Sequence, residues 1–267
     1  MRDSYLVGMI KVVRAALRLV VFFTVSLATV LTVAVGNILL GLFSVAAAIK
    51  WKNRVIRLWS RLTAQILGMR IKKKGSPPSP PFFLVANHLS YLDVVPLWRY
   101  LDATFVAKNE VKSWPFFGWG TRALGVMFID RQNGQDAHRI NQQFAETISD
   151  EQGVIIFPEG TSTKGQKVLP FNAPLLAYPA RNNMPVHFAT ISYCSQDARW
   201  AAHETLCWWG DMPFFSHFWE LLKQPGFVVT IKFGDTPLQQ SNRKALAGKL
   251  HNEVSQAFDP VVESSEN

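Results

Sequence analysis

Residues 82–93 read FFLVANHLSYLD, and the pattern changes within this stretch. The apolar run 82–86 predicts a strand, because short apolar runs bounded by polar residues are typical of strands. Ser90 and Asp93 then have the Ser-x-x-acid spacing of a capping box, which predicts the first turn of a helix. A strand that leads into a helix is the repeating unit of an α/β domain.

The same alternation continues along the chain. The other predicted strands are at residues 103–107, 125–130, 153–157, 185–192 and 227–233. The predicted helices are at residues 91–101, 135–150, 172–181 and 242–258. The pattern predicts an α/β fold, a layered and largely parallel sheet with flanking helices. In such folds the functional loops lie beyond the carboxyl ends of the strands.

The composition is that of a folded, basic chain. Hydrophobic residues make up 48% of the 267 residues and charged residues 18%, which is not the composition of a disordered chain. The net charge of +9 favours a partner that carries phosphates: nucleic acid, an anionic membrane or a phosphorylated small molecule. Neither the two cysteines nor the scattered histidines have the spacing of a metal site, so no metal is expected.

An uncharged apolar run covers residues 19–49, with basic residues on both sides. A straight helix of that length would measure roughly 46 Å, against roughly 30 Å for the hydrocarbon core of a membrane. A hairpin with a break at Gly36 and Asn37 would place both basic flanks on the cytoplasmic side. A single tilted span is the alternative. Either arrangement makes residues 1–71 a membrane-anchoring helical segment.

Residues 50–71 close that segment as an amphipathic helix that carries Trp51 and Trp59 among arginines. This composition favours the headgroup layer of a membrane, and a surface helix of the following domain is the alternative. The Pro-rich stretch 72–81 cannot form a helix or a central strand, so it is predicted to be a linker. The α/β domain would then occupy residues 82–267.

His88 and Asp93 allow two interpretations. In the structural one, Asp93 caps a helix and His88 is a loop residue beside it. In the functional one, Asp93 accepts the N–H of His88 and leaves the other ring nitrogen free as a general base. A spacing of five residues is unfavourable within one helix, so a functional pair requires His88 to precede the helix and fold back over its first turn. No serine or cysteine nucleophile stands at a fixed spacing, so the pair would activate a hydroxyl of the substrate.

Two further loops follow predicted strands. Residues 125–131 end in Asp130 and Arg131, and an arginine at a strand end suits bidentate binding of a phosphate. A surface ion pair is the alternative. Residues 158–165 carry glycines, hydroxyls and Lys164, which suits an anion-binding turn but lacks the spacing of a Walker loop.

Two aromatic stretches, residues 114–120 and 207–219, are rich in tryptophan and phenylalanine. They fit three interpretations: plain core, the lining of an acyl-chain groove, or contact with the membrane interface. The amphipathic N-terminal segment favours the last two over plain core.

Four blocks, in this order, resemble the motifs of the glycerolipid acyltransferase family, which includes the 1-acylglycerol-3-phosphate acyltransferases. They are Asn-His-x4-Asp at 87–93, Gly-x-x-Phe-Ile-Asp-Arg at 125–131, Phe-Pro-Glu-Gly-Thr-Ser at 157–162 and a Pro-Val strand at 184–193. Each block is moderately specific, and four in the same order are much more so. The resemblance covers roughly residues 82–193.

The resemblance implies a role for each matching residue. His88 would take the proton from the acceptor's hydroxyl as that oxygen attacks an acyl thioester, and Asp93 would orient and charge-balance the imidazole. Arg131 would bind the phosphate of the acceptor. The other residues that the resemblance implies in substrate binding are Lys108, Glu159, Gly160 and Thr161.

The chain departs from the family pattern at Ser162, where many members have an arginine that is linked to acceptor binding. Lys164 or Lys167 could supply that charge. Alternatively, the acceptor is a lyso-lipid with another headgroup, such as lyso-ornithine lipid. The departure concerns the acceptor and not the class of reaction.

The resemblance thus implies a membrane-bound O-acyltransferase without a cofactor, which uses acyl-CoA or acyl-carrier protein to convert 1-acyl-sn-glycerol-3-phosphate to phosphatidic acid. Its partners would be membrane lipids and a lyso-lipid acceptor, at a bacterial inner membrane with the active site on the cytoplasmic side. One alternative is a basic protein that binds a membrane surface or nucleic acid, but the basic residues flank the membrane segment rather than one face. The other is a hydrolase, but no Gly-x-Ser-x-Gly elbow is present.

Overall fold

The computed structural model describes residues 2–114, 117–131, 133, 135–197 and 199–262. Strands in these ranges are β1 Met69–Lys74, β2 Phe83–Ala86, β3 Ala103–Lys108, β4 Met127–Ile129, β5 Gly153–Ile156, β6 Val186–Ser195 and β7 Phe227–Phe233. Helices are α1 Arg2–Gly41, α2 Val45–Leu67, α3 Val94–Tyr100, α4 Phe117–Ala123, α5 Asp136–Thr147, α6 Ala177–Arg181, α7 Ala202–Thr205, α8 Phe214–Lys223 and α9 Arg243–Ala257. Short 3-10 helices cover Tyr91–Asp93, Asn109–Ser113 and Pro174–Leu176.

The strands form one sheet in the order β1-β7-β6-β2-β5-β3-β4. Neighbouring strands are parallel except for β6 and β7, which are antiparallel. All residues of the two inner strands β2 and β5 are buried. Because β2, β5, β3 and β4 are parallel, the loops that follow them meet at one edge of the sheet.

The predicted α/β fold is confirmed. All six predicted strands are present, and α5 and α9 match the predicted helices 135–150 and 242–258. The predicted helices 91–101 and 172–181 each begin as a 3-10 turn and continue as the short helices α3 and α6. Helices α4, α7 and α8 were not predicted, because α4 and α7 have only seven and four residues and α8 begins within an aromatic stretch.

Helices α1 and α2 form an antiparallel hairpin with its turn at residues 42–44. Two indole N–H groups of α2 donate to α1: Trp51 to the carbonyl of Thr32 (3.2 Å) and Trp59 to Ser26 Oγ (3.0 Å). The tryptophans therefore join the two helices, instead of directing their N–H groups to lipid headgroups as the amphipathic pattern had suggested.

The predicted break at Gly36 and Asn37 is wrong, because α1 continues through both residues. A Cβ atom at Gly36 would lie 2.0 Å from Trp51 Nε1, so the glycine permits close contact between the two helices. Among the described residues, one helix, over Leu6–Gly41, is long and apolar enough to cross a membrane by length and composition.

Helix α1 also packs along the α/β domain. The ring of Phe22 meets that of Phe218 on α8 edge-on, with centroids 5.2 Å apart. The guanidinium groups of Arg14 and Arg18 donate to carbonyl oxygens at the C-terminal end of α8, where the helix dipole favours cations. The hairpin is thus joined to the domain by both apolar and polar contacts.

Strand β1 lies at an edge of the sheet and pairs with β7 along its whole length. It ends with Lys72, Lys73 and Lys74, so the predicted linker 72–81 is wrong at its first three residues. A run of lysines is tolerated there because an edge strand has one side open to solvent. The segment before the linker therefore contributes to the sheet as well as to the hairpin.

Candidate active site

The ring of His88 is held by Asp93. His88 Nδ1 lies 2.8 Å from Asp93 Oδ2, and the same oxygen accepts the backbone N–H groups of Leu89 (2.8 Å) and Ser90 (3.1 Å). His88 follows β2, and Asp93 ends the 3-10 turn, so the imidazole folds back over the start of the helix. Asp93 therefore combines the two arrangements that the sequence allowed, since it caps backbone donors and binds the imidazole.

The two partners differ in exposure. The side chain of Asp93 is 0% exposed, whereas that of His88 is 22% exposed. The His88 ring stacks on Phe157 with a centroid separation of 4.2 Å. Because Nδ1 faces the carboxylate, Nε2 is the ring nitrogen left for a substrate. A ring nitrogen held in this way by a buried carboxylate has the geometry that general-base chemistry requires.

Glu159 lies beneath the same loop. One carboxylate oxygen accepts the backbone N–H of His88 (2.7 Å) and the other that of Leu169 (2.7 Å). The residue is 6% exposed. Burial raises the pKa of Glu159 to about 7, and these two hydrogen bonds oppose the rise. The next residue, Gly160, has φ +79°, a backbone conformation that favours glycine.

Substituting Glu159 by glutamine is expected to flatten the pH dependence of stability. In wild type the folded pKa of about 7 exceeds the ordinary value of 4.5, so the folded state binds more protons between these pH values. The stabilising contribution of protonation is therefore complete below pH 4.5 and is lost as the pH rises through about 7. Melting temperatures measured from pH 5 to pH 8 should fall more steeply with pH in wild type than in Glu159→Gln.

The matched control is Glu220→Gln, which alters an exposed carboxylate paired with Lys223. It should leave the slope of melting temperature against pH as in wild type. A Glu159→Gln slope equal to the wild-type slope would contradict an ionisation of Glu159 near pH 7.

An apolar cavity of about 320 Å³ lies beside His88, with walls from the α/β domain and from both helices of the hairpin. One side is a row of rings that we call the aromatic wall, formed by Phe157, Phe105, Trp98 and Trp59. Starting at His88, successive ring centroids are 4.2, 5.8, 5.0 and 5.7 Å apart. The wall ends at α1, where Trp59 donates to Ser26. Such a lining suits an alkyl chain.

The two aromatic stretches contribute to the same cavity. Trp114 and Phe117 from the first stretch line it, as do Trp208, Phe214 and Phe218 from the second. This placement fits the acyl-chain groove among the three interpretations of these stretches. Residues 115 and 116 of the first stretch lie outside the described residues.

The structure brings the predicted site residues together. His88, Lys108, Arg131, Gly160 and Thr161 all line the cavity, whereas Asp93 and Glu159 lie behind His88. Burial lowers the pKa of Arg131, and the nearby carboxylate of Glu110 opposes that effect. Ser162 also lines the cavity, so the position where the family pattern has an arginine faces the substrate space.

Sequence reasoning missed Tyr193 and most of the aromatic wall. The Tyr193 hydroxyl donates to Asp93 Oδ1 at 2.6 Å. No local pattern links the two residues, because their contact depends on β6 lying beside β2. Trp59 was assigned to the membrane, since an amphipathic pattern does not show which element covers its apolar face.

Comparison with known proteins identifies the family. The chain matches the Acyltransferase family over residues 69–192. A lyso-ornithine lipid O-acyltransferase of Pseudomonas aeruginosa is 31% identical, over 78% of this chain and 79% of the relative. A lyso-ornithine lipid O-acyltransferase of Rhodobacter capsulatus is 34% identical over 64% of this chain, and the match spans 63% of that relative's length.

A solved structure has the same fold. The crystal structure of the 1-acyl-sn-glycerophosphate acyltransferase of Thermotoga maritima aligns with a TM-score of 0.61 over 91% of this chain and 97% of that one, at 21% identity. The shared fold and the matching relatives define the class, a lipid acyltransferase scaffold. The chain belongs to the acyltransferase family, and the predicted resemblance is confirmed. Family membership and the apolar helix α1 together indicate association with a membrane.

Proposed function

We propose that this protein is a membrane-bound O-acyltransferase that moves a fatty acyl group from an acyl thioester to the hydroxyl of a lyso-lipid. The observation that carries the proposal is that His88 lines an apolar cavity while Asp93 holds its ring through Nδ1. A base at the side of such a cavity can act on a hydroxyl that is brought against an acyl thioester whose chain lies within the cavity. Membership of the acyltransferase family supports this class of reaction.

In the proposed reaction, His88 Nε2 takes the proton of the acceptor hydroxyl while the oxygen forms a bond to the thioester carbonyl carbon. The tetrahedral intermediate then loses its C–S bond, and the imidazolium returns the proton to the departing thiolate. The products are the acylated lipid and the free thiol of coenzyme A or of acyl-carrier protein. Asp93 stabilises the imidazolium while it carries the positive charge.

Backbone donors are available for the negative charge that develops on the carbonyl oxygen. Thr161 and Ser162 line the same cavity as His88, and within the described parts of the chain their backbone N–H groups donate to no protein acceptor. Donors fixed in place before the reaction stabilise an oxyanion without reorganisation. We assign these two N–H groups to that role.

The acceptor is proposed to carry an anionic headgroup, because Lys108 and Arg131 both line the cavity. Lyso-ornithine lipid offers a carboxylate, and 1-acyl-sn-glycerol-3-phosphate offers a phosphate. Ser162 in place of an arginine, and the names of the relatives from Pseudomonas aeruginosa and Rhodobacter capsulatus, favour lyso-ornithine lipid. The two cations, Lys108 and Arg131, also suit a phosphate, so 1-acyl-sn-glycerol-3-phosphate is the second candidate.

The test is acyl transfer by the purified full-length protein in detergent, with labelled palmitoyl-CoA and palmitoyl-carrier protein as donors. Lyso-ornithine lipid and 1-acyl-sn-glycerol-3-phosphate are supplied in parallel. Transfer to lyso-ornithine lipid alone is expected, and transfer to the phosphate lipid alone would reverse the order of the two candidates. Absence of transfer with every combination would refute the proposed function.

We further propose that the hairpin enters the membrane from one side, at the cytoplasmic face of a bacterial inner membrane. The α/β domain contacts α1 at Val30, which Gly120 of α4 approaches. Beyond Val30 the helix continues only to Gly41, which is roughly 16 Å at 1.5 Å per residue and too short for a core of roughly 30 Å. A Phe43→Cys variant should resist a membrane-impermeant maleimide added outside spheroplasts, and efficient labelling would indicate a full span.

Filling the cavity from α1 is expected to shorten the preferred acyl chain. Thr29 is buried and lines the cavity, so Thr29→Phe places a ring where the chain would lie. Turnover with palmitoyl thioester should fall at least roughly tenfold relative to octanoyl thioester, since each displaced methylene is worth about 0.8 kcal/mol. The control is Thr24→Phe on the exposed side of α1, which should keep the wild-type ratio. An equal ratio in both variants would place the acyl chain elsewhere.

A further inference from the structure

Tyr193 occupies a fixed position behind the candidate base. It lies on β6, is 3% exposed, and donates its hydroxyl to Asp93 Oδ1 at 2.6 Å. Within the described residues this is the one hydrogen bond at Oδ1, whereas Oδ2 accepts three N–H groups. The Asp93 carboxylate is therefore held at both oxygens, and the hydroxyl of Tyr193 is the part of that support which comes from a different strand.

The strand that carries Tyr193 is itself held rigidly beside the His88 loop. The side chain of Asn87, next to His88, hydrogen-bonds both the N–H and the carbonyl of Ile191 on β6 (2.7 and 2.9 Å). On the other side, β6 pairs with β7, and the Tyr193 ring packs against Phe227 with centroids 6.2 Å apart. The position of the hydroxyl is thus set by the sheet and not by a flexible loop.

We infer that Tyr193 is a positioning residue of this site, which fixes the plane of the Asp93 carboxylate and takes part of its charge. The inference rests on the proposed function, in which His88 must be neutral to accept a proton. If Oδ1 of the buried Asp93 carboxylate had no donor, the carboxylate would hold the proton on the imidazole more strongly. The hydrogen bond from Tyr193 weakens the attraction between Asp93 and the imidazolium of His88, because the hydroxyl takes up part of the negative charge of the carboxylate.

Other ionisable groups around Asp93 do not supply this donation. Glu159 faces Asp93 from the loop after β5 and its negative charge opposes that of Asp93. The thiol of Cys207 faces it from the segment before α8, and burial beside Asp93 raises the pKa of that thiol above its ordinary range. Tyr91, on the 3-10 turn, directs its hydroxyl to His217 instead. Tyr193 is therefore the side chain that shares the charge of Asp93 opposite His88.

The test compares Tyr193→Phe with the matched control Ser192→Ala, which removes a buried hydroxyl from the same strand whose hydrogen bond, to the carbonyl of Asp259, is also 2.6 Å. Acyl transfer is measured from pH 6 to pH 9. In Tyr193→Phe the acid limb of the pH–rate profile should move to higher pH, so that kcat on that limb falls by roughly tenfold, the effect of one charged hydrogen bond. At pH 9 kcat should return to the wild-type value, with KM for the acceptor unchanged throughout.

A loss of activity by the same factor at every pH would indicate a structural role alone and would overturn the inference, as would a profile equal to that of wild type. A second variant keeps the fold and should move the pH–rate profile in the opposite direction. Site-specific incorporation of 3-fluorotyrosine at Tyr193 makes the hydroxyl a stronger donor. Its acid limb should move to lower pH, and an unmoved limb would again overturn the inference.

One readout does not depend on transfer. The ring resonances of His88, assigned by their loss in His88→Gln, can be titrated by NMR in isotope-labelled protein. Their midpoint should move to higher pH in Tyr193→Phe and remain unchanged in Ser192→Ala. If wild type transfers no acyl group but this midpoint moves, the proposed function fails and the positioning role stands. If wild type transfers an acyl group but this midpoint does not move in Tyr193→Phe, the proposed function stands and the positioning role fails.

Discussion

Replacement of His88 by alanine is expected to lower the rate of acyl transfer by about 10²- to 10⁴-fold, which is the usual contribution of a positioned general base. A lipid hydroxyl is a poor nucleophile near neutral pH, and the substitution removes the nitrogen that would take its proton. The fold should persist, because the ring is partly exposed and its main packing partner is Phe157. The measurement is kcat with labelled acyl thioester, together with the melting temperature of each protein.

The control is His138→Ala. His138 lies on α5, where its ring contacts Gln142 at the surface, so its loss should change neither turnover nor melting temperature. Near-normal turnover in His88→Ala would remove His88 from the reaction, whatever the result with His138.

The second large effect is expected for Asp93→Asn, with turnover reduced by about 10²- to 10⁴-fold. The amide oxygen can still accept the three N–H groups that Oδ2 accepts, and the amide nitrogen can donate to the oxygen of Tyr193. The shape and the hydrogen bonds at Oδ2 are thus kept, whereas the Tyr193 O–H proton loses its acceptor and the charge that stabilises the imidazolium is lost. The measurement is kcat across pH, with circular dichroism to verify the fold.

Asp102→Asn is the matched control for this substitution. Asp102 pairs with Arg57 at 2.6 Å, and both side chains are about one-third exposed, so the loss of the charge should cost about 1 kcal/mol of stability or less. Turnover should remain at the wild-type level. Equal turnover in Asp93→Asn and Asp102→Asn would show that the buried charge has no part in the reaction.

Local sequence patterns were sufficient for six of the seven described strands and for the pair His88 and Asp93. Strands such as β2 and β5 are short apolar runs, and buried inner strands of a parallel sheet require that composition. The pair was recognisable because both residues lie in one short loop at the end of a strand. Parallel strand ends then bring Arg131 and Gly160 to the same cavity, as the strand–helix alternation implied.

Features that depend on distant parts of the chain left no local signal. The pairing of β6 with β2 places Tyr193 beside the loop that follows β2, and this arrangement brings its hydroxyl to Asp93. Strand β1 was hidden because its lysines have the composition of a surface linker, which an edge strand can also have. Gly36 was misjudged because a glycine that breaks a helix and one that admits a neighbouring indole cannot be distinguished without the neighbour.

The sharing of the cavity between the hairpin and the α/β domain has a consequence for how this protein can change. Trp59 and Ser26 belong to the hairpin and also form one end of the cavity, and β1, which follows α2 directly, completes the sheet beside β7. A chain shortened to begin at residue 82 would lose an edge strand and expose the apolar walls to water. An unrelated segment could therefore replace this hairpin only if the cavity were rebuilt, and a version without the hairpin would require a replacement for both helices as cavity walls.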